Sequence, residues 1–450
     1  MNNILALLQP IQNSISRTSM RQMSRVITAM IAMTGRVTML GLSRWAGTGG
    51  SYRSIQRFFY TSIPWVQVFW LFFQKYLFDE EDTYLLAGDE CVVTKAGKKT
   101  YGWDCFFSSL LKKVVPSLSF FTLALVSVKQ RRSYPLRVEQ TVRSSEEKAS
   151  RQIRKQAKKA KSEAAKRKPG RPKGSCNKKK AEVILSPELQ GIQKMVQALL
   201  ETIRGHVRLT YLVLDGHFGN YPALHMVREC QLHLISKLRT DAALFFAFVG
   251  PAPKRGPHPR LGERLDCRKI PEQYLKTTLV KEGIETRIYQ LQLLQREFSM
   301  PLNVVFLTKT NLKTKAWAHV LLFSSDLDLP YDKLIDYYSL RFQIEFNFRD
   351  AKQFWGLEDF MNVTQTAVTN AANLSLFMVD LSQVLMCKYR NIDPDFSVLD
   401  LKACYRGYRY VMETINILPQ KPDDNLVSQL FQKVAALGRI HPAKSLAPSG

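Results

Sequence analysis

The chain has 450 residues, 45% hydrophobic and 11% aromatic, enough for two or three domains with real cores and incompatible with a wholly disordered protein. Its 65 Lys+Arg against 38 Asp+Glu give a net charge of +27, which calls for a polyanionic partner, nucleic acid or an acidic membrane surface. Seven cysteines (91, 105, 176, 230, 267, 387 and 404), without C-x-x-C spacing, argue against a disulfide framework or a thiolate zinc site and fit reduced thiols in a cytosolic protein.

The first 20 residues carry no positive segment before an apolar run and do not read as a signal peptide. The least polar stretch, Val114 to Val128, is broken by Pro116 and three serines and falls short of the ~20 residues of a membrane span. No membrane partner is expected, and nucleic acid is favoured. Residues 1–78 read as a helical region, with apolar residues at helical spacing through MSRVITAMIAMTGRVTMLGLSRWAG and RSIQRFFYTSIPWVQVFWLFFQKYL. Gly47-Thr48-Gly49-Gly50-Ser51 separates the two, with Ser51 placed to cap the second. Arg44, Arg53 and Arg57 around that turn suggest a helix-turn-helix-like DNA module; an ordinary helical hairpin with surface arginines fits equally well.

Strands are expected at Thr83–Ala87, Thr100–Ser108 and Leu118–Val128, the first part (79–128) of an α/β core. Residues 129–180 then hold 20 Lys+Arg and 4 Asp+Glu, a net +16, and read as a charged arm spanning 129–182. Within it, Lys168-Pro169-Gly170-Arg171-Pro172-Lys173 resembles an AT-hook: the prolines hold the chain extended and Arg171 can enter a narrow A·T minor groove. The plainer reading is a basic linker that binds phosphates without preference.

A helix from Pro187 to Arg204, capped by Ser186, resumes regular structure. Leu209–Leu214 reads as a buried strand ending on Asp215, followed by a helix at Tyr221–Cys230 and a strand at Leu232–Leu238, so 183–248 forms the second part of the core. Residues 249–275 read as a Pro-, Gly- and Arg-rich loop. Strands at Thr286–Leu294, Leu302–Thr308 and Ala318–Ser324 complete a β-rich insertion over 249–328. One helix from Tyr331 to about Phe354 lies in segment 329–362. Helices at Thr364–Tyr389 and Leu399–Ile417 belong to a C-terminal region, 363–450, weakly structured beyond Pro419.

Two carboxylates stand where strand ends would hold them rigidly at a sheet edge: Asp89 after TYLLAG and Asp215 after LTYLVL. Glu90 and Asp104 compete for the first place. On the helix 331–354, Tyr338, Arg341, Glu345 and Lys352 fall within an arc of roughly 60° at about 100° per residue. A salt-bridged exposed face is the ordinary reading of such a stripe. A carboxylate flanked by cations, with two more carboxylates upstream, also suits two-metal phosphoryl transfer on DNA.

The spacing Tyr338-x2-Arg341-x3-Glu345-x6-Lys352 resembles the signature of the bacterial insertion-sequence DDE transposases, and the likeness extends over most of residues 80–390. It implies a ribonuclease H-like α/β core with a β-rich insertion and helical flanks. It implies Asp89, Asp215 and Glu345 as catalytic residues holding two Mg²⁺ ions, with Mn²⁺ as substitute. It implies Tyr338, Arg341 and Lys352 as DNA contacts, and a homodimer pairing two transposon ends. Trp317 is the candidate for handling a flipped base, although a strand-end Trp is the commoner meaning. One departure is Asp89-Glu90-Cys91, where the family commonly has Asp-Asp-Thr. The expected activity is hydrolysis at terminal inverted repeats and joining of the freed 3′-OH to target DNA, in a bacterial, nucleoid-associated cytoplasmic setting. The seven histidines lack metal-ligand spacing and no phosphate-cradling GxxxxGK[ST] loop occurs, so ATP-driven chemistry is not expected. Two alternatives stay open: a non-catalytic, transposase-derived DNA-binding protein, and a ribonuclease H-like nuclease without strand transfer.

Overall fold

The computed structural model describes residues 4–150, 152, 153, 156, 183–251 and 258–441. The chain opens with α1 (Ile4–Leu7) and α2 (Arg17–Ala32), the latter capped by Ser16, whose Oγ accepts the Ser19 N–H at 3.1 Å. The helical pattern read as continuous through residue 47 is interrupted after α2. Met33 is extended, Gly35 takes φ +76°, and Thr38 caps a new helix, α3 (Met39–Trp45). Next come α4 (Tyr52–Tyr60), capped by Ser51 as expected, and α5 (Trp65–Tyr76).

The core strands are β1 (Tyr84–Thr94), β2 (Asp104–Ser108), β3 (Lys113–Ser127) and β4 (Arg132–Gln140). After α6 (Pro187–Ile203) come β5 (Tyr211–Val213), α7 (Tyr221–Glu229) and β6 (His233–Leu238). The remaining strands are β7 (Leu244–Ala247), β8 (Leu261–Arg264), β9 (Leu275–Lys281), β10 (Ile284–Gln295), β11 (Leu302–Asn311) and β12 (Trp317–Ser324). All twelve belong to one mixed sheet whose main path runs β2-β3-β1-β5-β6-β12-β11-β10-β7-β8, with β4 beside β3 and β9 beside β10. Among the described residues, only the β1–β5 and β5–β6 pairings are parallel.

Several expectations need correction. The strand from Thr83 runs on to Thr94, so Asp89 lies inside it. Part of the expected charged arm is β4, whose Ser133, Tyr134, Leu136 and Val138 are buried; averaging charge over 52 residues hid a strand. The strands at 286–324 were not expected to join the central sheet, and they do so because β12 pairs with β6. The loop at 249–275 contains β8, and the tail beyond Pro419 contains α12 (Asp424–Ala436).

The C-terminal helices are α8 (Tyr331–Leu340), α9 (Gln343–Phe354), α10 (Gln365–Arg390) and α11 (Val398–Ile417), before α12. The single helix expected over 331–354 is therefore two. The break has a packing cause. Leu334, Tyr337 and Leu340 of α8 join a core with Leu85, Val213, Ile235 and Leu322. Ile344, Phe348 and Ala351 of α9, with Trp355 just beyond it, join the larger core shared with the N-terminal helices and α10. The alternating strand positions Leu85 and Leu86 fall in different cores, which places the two on opposite sheet faces. One straight helix cannot serve both.

Residues 1–78 fold into that larger core too, and the Trp65 indole N–H donates to Asn370 Oδ1 at 2.8 Å, tying α5 to α10. Among the described residues, no helix is long and apolar enough to cross a membrane.

Candidate active site

The site starts from strand register. β1 and β5 pair in parallel through Leu86–Leu212 and Ala87–Val213, so two residues further on Asp89 comes level with Asp215. Here β5 has ended while β1 continues, paired through Asp89–Thr122 with β3. Gly88 allows the close approach, since a Cβ there would meet Leu214 Cδ2 at 2.8 Å and Phe121 Cζ at 2.9 Å. Asp215 caps a 3₁₀ turn over Gly216–Phe218: its Oδ1 accepts the His217 N–H at 3.1 Å, and its carbonyl accepts the Ser236 hydroxyl at 2.7 Å. Those bonds fix the carboxylate at the end of the strand.

Glu345 arrives from the first turn of α9, the positive end of that helix. Arg341, in the break between α8 and α9, connects β1 with α9. Its Nη1 donates to Asp89 Oδ2 at 2.7 Å and its Nη2 to Glu345 Oε1 at 3.2 Å. The arginine side chain is 14% exposed, Asp89 20% and Glu345 41%, so the cluster is half sheltered and opens on the Glu345 side. Asp89 Oδ1 accepts the Glu90 N–H at 2.8 Å.

Electrostatics tie all three acids together. Burial raises the Asp89 pKa; Arg341 and the Glu90 N–H oppose it, and the Asp215 and Glu345 charges add to the rise. Burial works against the Arg341 charge, but Asp89, Tyr338, Glu345 and Asp215 outweigh it and hold the guanidinium pKa above its usual value. Burial also raises the Tyr338 hydroxyl, with Arg341 opposing and Asp215 and Asp89 contributing. Tyr338 thus belongs to the same cluster.

Other residues named from sequence fall in different places. Lys352 Nζ donates to the Val92 carbonyl at 2.8 Å and pairs with Glu358 at 3.1 Å, docking α9 onto β1. Glu90, the neighbour of Asp89, accepts from the Ser119 hydroxyl, and Asp104 pairs with Arg143 at 3.1 Å. Cys91 is buried, and burial pushes its thiol up to about 12. Arg53 and Arg57 are exposed on α4. Trp317 is 36% exposed at the start of β12 and stacks on His319 with ring centres 4.7 Å apart. The register Val213–Ile235 and Lys237–Leu322 puts Trp317 on the Asp215 side of the sheet, five residues or ~17 Å beyond its level. Gly170, Arg171, Pro172, Lys168 and Lys173 lie outside the described residues.

Sequence reasoning missed two features. One is the grip of Arg341 on Asp89, 252 residues away, of which only the i,i+4 pairing with Glu345 was locally legible. His217 faces Glu188 at 3.8 Å, and that interaction raises the imidazole pKa against its burial, a contact between distant segments that no local pattern marks.

Among the described residues no three His, Cys, Asp or Glu side chains stand close enough to hold a metal ion, and Arg341 spans the gap between Asp89 and Glu345. The donor chemistry fits a hard divalent cation such as Mg²⁺ or Mn²⁺, since Asp89, Asp215 and Glu345 offer only carboxylate oxygens.

Comparison with known proteins gives one result. Residues 10–295, well over half of the chain, match a family model described as DDE superfamily endonuclease. The matched region contains Asp89 and Asp215 and ends before Glu345. No curated protein matches the chain.

Proposed function

The chain belongs to the DDE superfamily of endonucleases, and from that premise we propose that it is the transposase of a bacterial insertion sequence, of the group with the Tyr-x2-Arg-x3-Glu-x6-Lys signature. The observation that carries this reading is the convergence of Asp89, Asp215 and Glu345, from a strand, a turn and a helix, around Arg341. Three carboxylates gathered from segments more than a hundred residues apart are costly to assemble unless their shared charge has a use.

Two divalent ions bound there would activate the attacking water or hydroxyl and stabilise the leaving oxygen. The protein residues supply position. β1 and the capped turn hold Asp89 and Asp215 rigid, and the helix break aims Glu345 at them. Tyr338 and Arg341 border the scissile phosphate, and Lys352 keeps α9 seated on β1. Hydrolysis frees a 3′-OH, whose oxygen then attacks a target phosphodiester directly. One P–O bond is exchanged for another, so neither a covalent protein intermediate nor ATP is needed. The basic segment with Arg171, together with Arg53 and Arg57, binds the terminal inverted repeats through phosphates and the minor groove. Pairing two ends requires at least a homodimer, acting on bacterial DNA in the cytoplasm.

The test is incubation of the protein with a plasmid carrying its native flanking DNA, Mg²⁺ and a second target plasmid. Transposition predicts cleaved ends joined through their 3′-OH to the target. Cleavage without joining supports a ribonuclease H-like nuclease instead. Tight end binding with no cleavage supports a non-catalytic DNA-binding descendant.

A further inference from the structure

Arg341 is the least expected member of the cluster. Its guanidinium is mostly buried and spans two of the three carboxylates, and its Nε is buried without a hydrogen-bond partner. Both terminal nitrogens are directed at carboxylate oxygens, one on β1 and one on α9. Asp89 Oδ2 and Glu345 Oε1 are the atoms Arg341 holds, so part of the negative charge a cation would use is already neutralised.

We propose that Arg341 is a built-in counter-ion for the carboxylate cluster, so that a divalent cation and the Arg341 guanidinium compete for Asp89 and Glu345. The inference rests on the metal-dependent function proposed for this site and adds a residue that sets how tightly the metal binds. A carboxylate already paired with a guanidinium is partly neutralised and offers fewer free lone pairs, so cation binding works against the Arg341 pairing and weakens it. Arg341 lies in a two-residue break where i→i+3 bonds, such as Glu345 N–H to the Phe342 carbonyl at 3.1 Å, replace the regular helical ladder. Withdrawn, its fork remains suited to a phosphate. Pairing with carboxylates and contact with DNA are then successive roles.

The experiment measures Mn²⁺ binding to the full chain without DNA, from the electron paramagnetic resonance signal of free Mn²⁺, for wild type, R341Q, R341K and D215N. Removing the competitor tightens Mn²⁺ binding, and R341Q is expected to bind about tenfold more tightly than wild type. Mn²⁺ then also raises the melting temperature of R341Q more than that of wild type. R341K, whose single ammonium cannot span both carboxylates, shows a smaller tightening and serves if R341Q does not fold. Mn²⁺ binding by R341Q or R341K that is unchanged or weaker overturns the proposal. Weaker Mn²⁺ binding by D215N than by wild type supports the carboxylate cluster as the metal site. If Mn²⁺ binds none of the proteins, the metal centre falls and the proposal with it; if it binds wild type and both Arg341 variants alike, the metal centre stands and only the counter-ion role is lost.

Discussion

Asp380 and Asp400 are both buried carboxylates, at 1% and 0% exposure, and their surroundings drive them in opposite directions. Both oxygens of Asp380, inside α10, lack a hydrogen-bond partner, and burial alone holds its pKa well above the usual carboxylate range. Burial also acts on Asp400, but bonds from Ser397, Ile440 and His441, among them His441 Nδ1 at 2.7 Å, reverse the effect and lower its pKa. Neither environment is readable in sequence, because partners or their absence come from distant segments. Asp89 and Asp215 were readable because each follows an apolar run. The Asp380 folded-state pKa exceeds its unfolded value, so its contribution to stability is lost as pH rises from the unfolded pKa towards the folded one. Asp380→Asn should remove that dependence. Thermal unfolding at pH 5 and pH 8 is expected to show the variant gaining on wild type at the higher pH, by on the order of 2 °C for each kcal/mol recovered. An equal difference at both values would contradict the unpaired buried carboxylate.

At the scale of elements, the informative feature is the junction of α8 and α9. The arc read from sequence survives the break because Arg341 and Phe342 keep right-handed helical dihedrals (φ −50°, ψ −36° and φ −59°, ψ −18°). Helical periodicity therefore predicted the stripe and missed the interruption. Nothing local says that Leu340 belongs to one core and Ile344, four residues later, to the other. Leu340→Ala and Ile344→Ala should each cost about 2–5 kcal/mol in denaturant unfolding. Because the two side chains sit in separate cores, the double variant should cost the sum to within about 0.5 kcal/mol. A larger coupling would mean that the break does not divide the cores. α12 does carry an apolar stripe at helical spacing, Leu426, Val427, Leu430, Phe431 and Val434, which the reading of the tail passed over; Phe431 stacks on Tyr408 of α11.

Across the whole molecule, the sequence reading recovered the β5-α7-β6 unit, whose strands are short and mostly buried. It missed the continuity of the sheet, since pairing β12 with β6 joins segments some eighty residues apart. The net charge of +27 pointed to a polyanion, and the DDE endonuclease family makes DNA the substrate. Sheet register and the helix break then gather Asp89, Asp215 and Glu345 at one place, and on that cluster the proposed chemistry depends. The most direct measurement compares Mg²⁺-dependent cleavage of DNA carrying the native ends by wild type and by D89N, D215N and E345Q, with end binding measured in parallel. A metal-holding triad predicts that each substitution abolishes cleavage while end binding stays close to wild type. Cleavage at the wild-type rate by any one of the three would contradict it.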